Sequence, residues 1–262
     1  MDTFSALRPL VVFLLAFFLG CSISACKKKA AMEKAQALAT PSSSQTVPTT
    51  GSTLPAIVGR GKGSFANYVH FPKDPATANL EGAVQFYCDI AEDGTVATTY
   101  AVVSNQKALV TAVQSALDWG KFQPATIGGK PVPVYLGGTV LFFHQDRRPT
   151  IAISLVTYDR ERVGKLTNYI QPQLIGGLRP HLEKAERAST IDLPAKGAAE
   201  VVVSVGEHAE ITSTSVLAEN PKEIGLGDFL ISAIKDAQFT SAYSDGKPTA
   251  GAMNVIANFG EF

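Results

Sequence analysis

Two stretches of alternating apolar and polar residues lie 115 positions apart in the chain, with Gly82 matching Gly197. Apolar side chains occupy every second position from Val84 to Ile90, and they do so again from Ala199 to Val205. A period of two is typical of a strand that is buried on one face. Each stretch therefore predicts a half-buried β-strand.

A turn and a return strand are expected after each alternation. Asp93-Gly94 is a hairpin signal, and a second strand follows it through Val96 to Val103. The second stretch has His208-Ala209 at the matching place, so we expect its turn to have a different geometry.

Helical spacing follows both strand pairs. The apolar positions of the predicted helices are Leu109, Val113, Ala116 and Leu117 in the first copy and Phe229, Leu230, Ala233 and Ile234 in the second. Each set forms one apolar face that can pack on a sheet. Each helix stops before a phenylalanine, Phe122 or Phe239, and we expect the rings of Phe122 and of Phe142 in the last strand to lie in the core. A last strand ends each copy, at the matched Phe142 and Phe259.

The order in each copy is strand, hairpin, strand, helix, strand. It predicts an α+β fold of two units, each a three-stranded antiparallel sheet with one helix packed on it. We place the first unit at residues 56–148 and the second at 149–262. A strand-like run from Ile151 to Tyr158 lies between the copies and can extend either sheet. We expect "FANYVHFP" (65–72) and "LTNYIQPQL" (166–174) to be two versions of a leading helix.

The N-terminal region has a different composition. An apolar run from Leu10 to Leu19 follows Arg8 and has the length of the core of an export signal. "ISAC" after it resembles the lipobox of bacterial lipoproteins, which implies a signal peptide over residues 1–25 and lipidation of Cys26. Lipidation of Cys21, an uncleaved anchor over residues 9–25 and a signal that is cleaved without lipidation remain as alternatives. The composition of residues 26–55 predicts a flexible tether with a reach of roughly 30 Å.

Charge and candidate chemistry narrow the function classes. The chain has 23 basic and 23 acidic residues, so nothing in its net charge favours a nucleic-acid partner. Cys88 lies on the same side of the predicted strand as the apolar Val84, Phe86 and Ile90, so we expect it to be a small buried residue. The histidines have no metal-ligand spacing; they are His70, His144, His181 and His208. "GRGKGS" (59–64) lacks the spacing of a phosphate-binding loop. We therefore predict no enzyme, no metal and no cofactor.

The segment between the end of the first predicted helix and the last strand resembles a known family. "DWGKFQPATIGGKPVPV" (118–134), with the preceding strands and "GGTVLFF", resembles the C-terminal domain of the TonB family over about residues 68–143. Its most specific positions are Trp119, Phe122, Pro124, Ala125, Gly129, Lys130 and Pro131. Residues 166–260 resemble a divergent second version that keeps Phe239 and Gly246-Lys247-Pro248. In both copies we expect Gly-Lys-Pro to make the turn into the last strand.

The resemblance implies a mode of action. In TonB proteins the last strand is a sheet edge, and the TonB box of an outer-membrane receptor pairs with it. The partner-binding residues so implied are Val134, Leu136, Val140 and Phe142 in the first copy and Met253, Val255 and Phe259 in the second. Gly137-Gly138 offers a site for a bulge that would protect this edge. The first 29 residues contain no histidine of the kind that the TonB motor uses, so the resemblance extends to the domain and not to energy transduction.

These observations predict a cell-envelope lipoprotein that faces the periplasm, anchored to the outer rather than the inner membrane. It would act by adding a partner's strand to a sheet edge, with a link to TonB-dependent transport. Envelope proteins, receptors with a TonB box and a second copy of the chain are the expected partners. One alternative is a structural assembly protein whose edges are closed by the other unit. Another is an unusual TonB energy transducer that keeps its N-terminal anchor.

Overall fold

The predicted alternation of strands and helices is present in both halves of the chain. The computed structural model describes residues 53–74, 76–77, 79–157, 162–163, 168–189 and 196–260. The helices are α1 (Lys107–Trp119), α2 (Arg179–Ala188) and α3 (Leu226–Ile234), and a short 3₁₀ helix covers Phe65–Asn67. The strands are β1 (Thr53–Leu54), β2 (Gly82–Ile90), β3 (Val96–Val103), β4 (Ala125–Ile127), β5 (Lys130–Val132), β6 (Val134–Gln145), β7 (Arg148–Ser154), β8 (Tyr169–Ile170), β9 (Leu174–Ile175), β10 (Gly197–Val205), β11 (Ile211–Asn220), β12 (Ala242–Ser244), β13 (Lys247–Thr249) and β14 (Gly251–Phe259).

The first large sheet has the strand order β3-β2-β6-β7, and β9 pairs with the start of β6. All of these pairs are antiparallel. Helix α1 covers one face, because its spacing places Leu109, Val113, Ala116 and Leu117 on one side, where all four are buried. Phe122 and Phe142 are also buried, which confirms that both belong to the core.

The second large sheet has the order β11-β10-β14 and buries the apolar side of α3. Its elements follow the order of the first half: two strands, a helix, a short hairpin and a last strand. The α+β class and the two sheet-plus-helix units are therefore confirmed. The first sheet has more than three strands because β7 and β9 add to it, so the run after Arg147 extends the first sheet. The boundary at residue 148 stays a prediction, and the described residues belong to one compact unit.

The joint between helix and last strand is a small hairpin in each half. Gly128 and Gly129 lie at φ values of +58° and +77° and connect β4 to β5. Asp245 and Gly246, at +50° and +76°, connect β12 to β13 in the same way. The expectation that Gly-Lys-Pro forms the turn is wrong, because the lysine and the proline already belong to the returning strand.

The turns between the first two strands of each half share one geometry. In the first, Ala91 N–H donates to Thr95 O (2.8 Å) and Gly94 N–H to Ala91 O (2.9 Å). In the second, Gly206 N–H donates to Glu210 O (2.8 Å) and Ala209 N–H to Gly206 O (3.1 Å). Ala209 has a φ of +69° where Gly94 has +82°. The expectation of a different turn is wrong, because Ala209 accepts the left-handed conformation that glycine adopts more easily.

Two further expectations need correction. Tyr169–Ile170 forms strand β8, so the segment predicted as a second leading helix is not helical there. Gly137 and Gly138 lie in an unbroken β2–β6 register and form no bulge. A Cβ on Gly138 would lie 2.5 Å from the Phe86 ring, so this position has no room for a side chain.

The predictions for the N-terminal region lie outside the described residues: the signal peptide, Cys26, Cys21 and nearly all of the tether. Within the part of the chain that the structure describes, no helix has the length and apolarity needed to cross a membrane.

Candidate interaction surfaces

The last strand of the first half, β6, has partners on both sides. It pairs with β2 along Val134–Phe142. On its other side β7 pairs with Thr139–Gln145, and β9 pairs with Val134 and Tyr135. The expectation that β6 presents an open edge is therefore wrong in this structure, since the chain supplies the neighbouring strand itself. A role for this strand in partner binding stays a prediction.

The side chains predicted for partner binding on β6 lie in the core under α1. Val134, Leu136, Val140 and Phe142 belong to one buried cluster with the apolar face of that helix. A partner that added a strand here would therefore form hydrogen bonds with the main chain of β6 and would not contact these side chains.

Strand β7 continues from β6 through a tight hairpin. Asp146 and Arg147 form the two-residue turn with φ values of +50° and +63°, and Gln145 pairs with Arg148. Both residues have positive φ, as in the turn type that matches the twist of paired strands. Because the turn holds β7 beside β6, a partner strand would compete against a neighbour in the same chain.

The last strand of the second half, β14, pairs only with β10 among the described residues. Its outer side meets the first sheet, where Ile256 N–H donates to the Tyr135 hydroxyl (2.8 Å). The Asn258 amide donates to Tyr100 O at 2.5 Å. The predicted binding residues Met253, Val255 and Phe259 are buried in the second core. Strand β14 is thus an edge that the first half covers, and its binding role stays a prediction.

The other sheet edges carry features that oppose pairing with a second chain. The β2–β3 and β10–β11 registers each shift twice, so β3 and β11 are bulged edges. Strand β7 contains Pro149, which has no N–H to donate. Every large-sheet edge in the described region is therefore bulged, covered or interrupted by proline.

A layer of tyrosines, Tyr87, Tyr100 and Tyr135, fills the face of the first sheet opposite α1. All three are 5% exposed or less and belong to the same cluster as the core of the second half. The alternation predicted that this face of β2 would meet solvent, and that prediction is wrong because the second half covers it. Tyrosine suits such a place, since its ring packs while its hydroxyl finds a partner.

Asp89 is a buried carboxylate at the same junction. It accepts hydrogen bonds from the Tyr100 hydroxyl (2.8 Å), from Leu178 N–H (2.8 Å) and from Arg179 N–H (3.3 Å). The two backbone donors begin helix α2, so Asp89 caps a helix of the other half. Burial raises the pKa of Asp89 above its usual value, and the three donors act in the opposite direction. The carboxylate also raises the pKa of Tyr100, after the larger effect of burial.

Trp119 is the largest side chain with high exposure in the described region. It is the only tryptophan of the chain and is 72% exposed at the end of α1. Large aromatic side chains on a surface are common anchors of protein interfaces. The resemblance identified Trp119 as a specific position, but its exposure could not be read from the sequence.

The remaining candidate residues do not form a chemical site. Cys88 is a free, fully buried thiol, which confirms the expectation, and burial raises its pKa well above the usual value. Among the described residues no group of three or more histidine, cysteine or acidic side chains could hold a metal.

Sequence reasoning missed Gln173, whose side chain is fully buried. Its side-chain oxygen accepts a hydrogen bond from Ala56 N–H (2.7 Å), and its side-chain NH₂ donates one to Ala56 O (2.8 Å). One amide group therefore satisfies both main-chain polar groups of Ala56. No local signal marks it, because the contact joins residues that are 117 positions apart.

Comparison with known proteins gives one match. Residues 67–142 match the family model described as Gram-negative bacterial TonB protein C-terminal. No curated protein and no solved structure matches the chain. Domains of this family are protein-interaction domains of the periplasm that contact envelope proteins such as outer-membrane receptors. Residues 67–142 are therefore similar to a TonB C-terminal domain, a kind of domain that acts by protein–protein interaction.

Proposed function

We propose that the protein is a periplasm-facing lipoprotein, anchored through Cys26 to the outer membrane, whose TonB-like domain accepts a partner strand at β6. In this proposal β7 holds the acceptor position closed, and a partner with a TonB-box segment binds by replacing β7. The observation that supports it is the pairing of β7 along Thr139–Gln145, on the side of the strand where the family's partners add.

The geometry of the hairpin suggests how to open the site. A two-residue turn of this type closes on a hydrogen-bonded pair, here Gln145 and Arg148, and such pairs alternate along the ladder. By this alternation Leu141 and Ala152 also form a hydrogen-bonded pair, so the N–H of Ala152 points toward β6. Ala152→Pro removes that donor and weakens β7 at its centre.

The test compares binding of a TonB-box peptide to the wild type, to Ala152→Pro and to the control Ala152→Gly, which keeps the N–H. We expect Ala152→Pro to bind at least about tenfold more tightly, a difference of about 1.4 kcal/mol, with slower amide exchange in β6. The control should bind like the wild type. Equal binding by all three chains would show that β7 does not compete. No binding by any of them would reject strand addition at β6.

A second candidate function is a structural piece of an envelope assembly that binds no peptide. The cover of β14 by Tyr135 and Tyr100 favours it, because both last strands then have intramolecular partners. Absence of peptide binding in all three chains, together with retained folding, would support this candidate.

A further inference from the structure

The segment Thr53–Ile57, which we call the entry segment, lies between the two halves and contacts both. On the side of the first half, Thr53 and Leu54 pair with Ile127 and Thr126 of β4. Ile57 continues this pairing by exchanging two backbone hydrogen bonds with Gln123, of 3.0 and 2.9 Å. The entry segment is therefore an added strand on the β4–β5 hairpin.

The second half holds the same segment from the other side. The buried amide of Gln173 bonds both the N–H and the carbonyl of Ala56, as a neighbouring strand would. The Tyr243 hydroxyl donates to Thr53 O. The groove between the halves thus binds an extended main chain, and its selectivity for side chains is set at Pro55 and Ala56, which are both buried.

The entry segment is exposed at Leu54 and is joined to the domain by a glycine-rich connection. Leu54 is 50% exposed, so the segment can leave the groove without threading through the protein. The connection, residues 58–63, contains Gly59, Gly61 and Gly63, and a Cβ on either of the last two would meet nothing within 4 Å. Six extended residues span about 20 Å, which is enough for the segment to reach a neighbouring molecule.

We propose that this groove is a strand-binding site for an extended peptide with a small residue at the Ala56 position, and that a second copy of this chain supplies it. The identical segment of a second copy makes the same hydrogen bonds, so exchange costs mainly the entropy of association. Reciprocal exchange then gives a dimer. The proposal does not depend on strand addition at β6.

One experiment measures binding of a labelled peptide with the sequence of residues 52–59 to the full chain. Ala56→Arg should empty the groove of its own segment, because the buried position has no room for arginine. We expect this variant to bind the peptide at least tenfold more tightly than the wild type. Adding Gln173→Leu should abolish the binding, and a peptide with arginine in place of its alanine should not bind. A folded Ala56→Arg chain that binds no peptide would overturn the groove assignment.

A second experiment detects exchange between copies and does not require an emptied groove. Chains with Leu54→Cys and chains with Thr126→Cys are mixed, each in a background with Cys21→Ser and Cys26→Ser. The two positions are paired in the β1–β4 register, so exchange should give a disulfide between different chains. The double variant Leu54→Cys/Thr126→Cys controls for the geometry by forming the bond within one chain. If the double variant forms the bond and the mixture does not, the second copy is excluded as the donor.

Discussion

The hydroxyl of Tyr135 accepts a 2.8 Å hydrogen bond from the backbone N–H of Ile256 and so joins the first sheet to the edge of the second. Tyr135 is fully buried, and burial raises its pKa well above the usual value, so the hydroxyl keeps its proton. The contact satisfies a backbone donor that the outer side of β14 would otherwise leave unpaired. It also explains why an edge strand can be stable inside the protein.

We therefore expect Tyr135→Phe to lower the free energy of unfolding by about 1–3 kcal/mol, since the phenyl ring fills the site but leaves the Ile256 N–H without an acceptor. Urea denaturation of the two chains measures the difference. Tyr68→Phe is the matched control, because Tyr68 is 41% exposed, and it should change stability by less than about 0.5 kcal/mol. A Tyr135 variant as stable as that control would contradict the role of the hydroxyl.

The left-handed residue in the second turn gives a stabilising substitution. Ala209 adopts a φ of +69° in a turn with the hydrogen bonds of the Gly94 turn. Ala209→Gly should raise the free energy of unfolding by about 1 kcal/mol, because glycine adopts this conformation without a Cβ penalty. Thermal denaturation would register it as a higher melting temperature, and an unchanged or lower one would argue against strain at Ala209.

The reverse substitution in the first turn should be costly. A Cβ on Gly94 would lie 2.0 Å from the carbonyl oxygen of Phe122, and the Gly94 carbonyl accepts from Phe122 N–H at 2.8 Å. We expect Gly94→Ala to lower the free energy of unfolding by about 2 kcal/mol or more, since backbone must move. The loss of unfolding free energy in Gly94→Ala should exceed the gain in Ala209→Gly, because the clash with Phe122 O is specific to position 94. Changes of equal size and opposite sign would contradict this explanation.

Asp89 predicts a pH dependence of stability. Its pKa is raised in the folded protein, mainly by burial. A carboxyl of this kind contributes most to stability below its unfolded pKa of about 3.9, and the contribution is lost as the pH rises through the folded pKa. The difference in unfolding free energy between the wild type and Asp89→Asn should therefore shrink as the pH rises from about 3.9 through the folded pKa of Asp89.

Urea denaturation of both chains between about pH 3 and pH 7 measures this trend, and contributions from other carboxyl groups cancel in the difference. A difference that grew with pH would mean that the donors of Tyr100, Leu178 and Arg179 outweigh burial. The pKa of Asp89 would then be lowered in the folded protein.

The elements that rest on local pattern were predictable from the sequence. Strand β2, the apolar side of α1 and the buried positions of Phe122 and Cys88 all follow from spacing within about a dozen residues. What could not be predicted depends on contacts across the chain. The burial of Tyr87 needs the second half, the closure of β6 needs the turn at Asp146, and the role of Gln173 needs a segment far away in sequence. The family resemblance predicted which strand would accept partners but not that β7 pairs with that strand here.

Trp119 offers a direct probe of whether a partner contacts the end of α1. Because it is the only tryptophan and is 72% exposed, its fluorescence should resemble that of tryptophan in water and be quenched efficiently by acrylamide. Trp119→Ala should change the free energy of unfolding by less than about 0.5 kcal/mol, as the ring buries little in the free protein. If the end of α1 contacts a partner, an envelope protein that binds the wild type should protect Trp119 from quenching and should bind Trp119→Ala at least about tenfold more weakly. Quenching that stays the same in a complex, with full affinity of the variant, would place the interface elsewhere on the molecule.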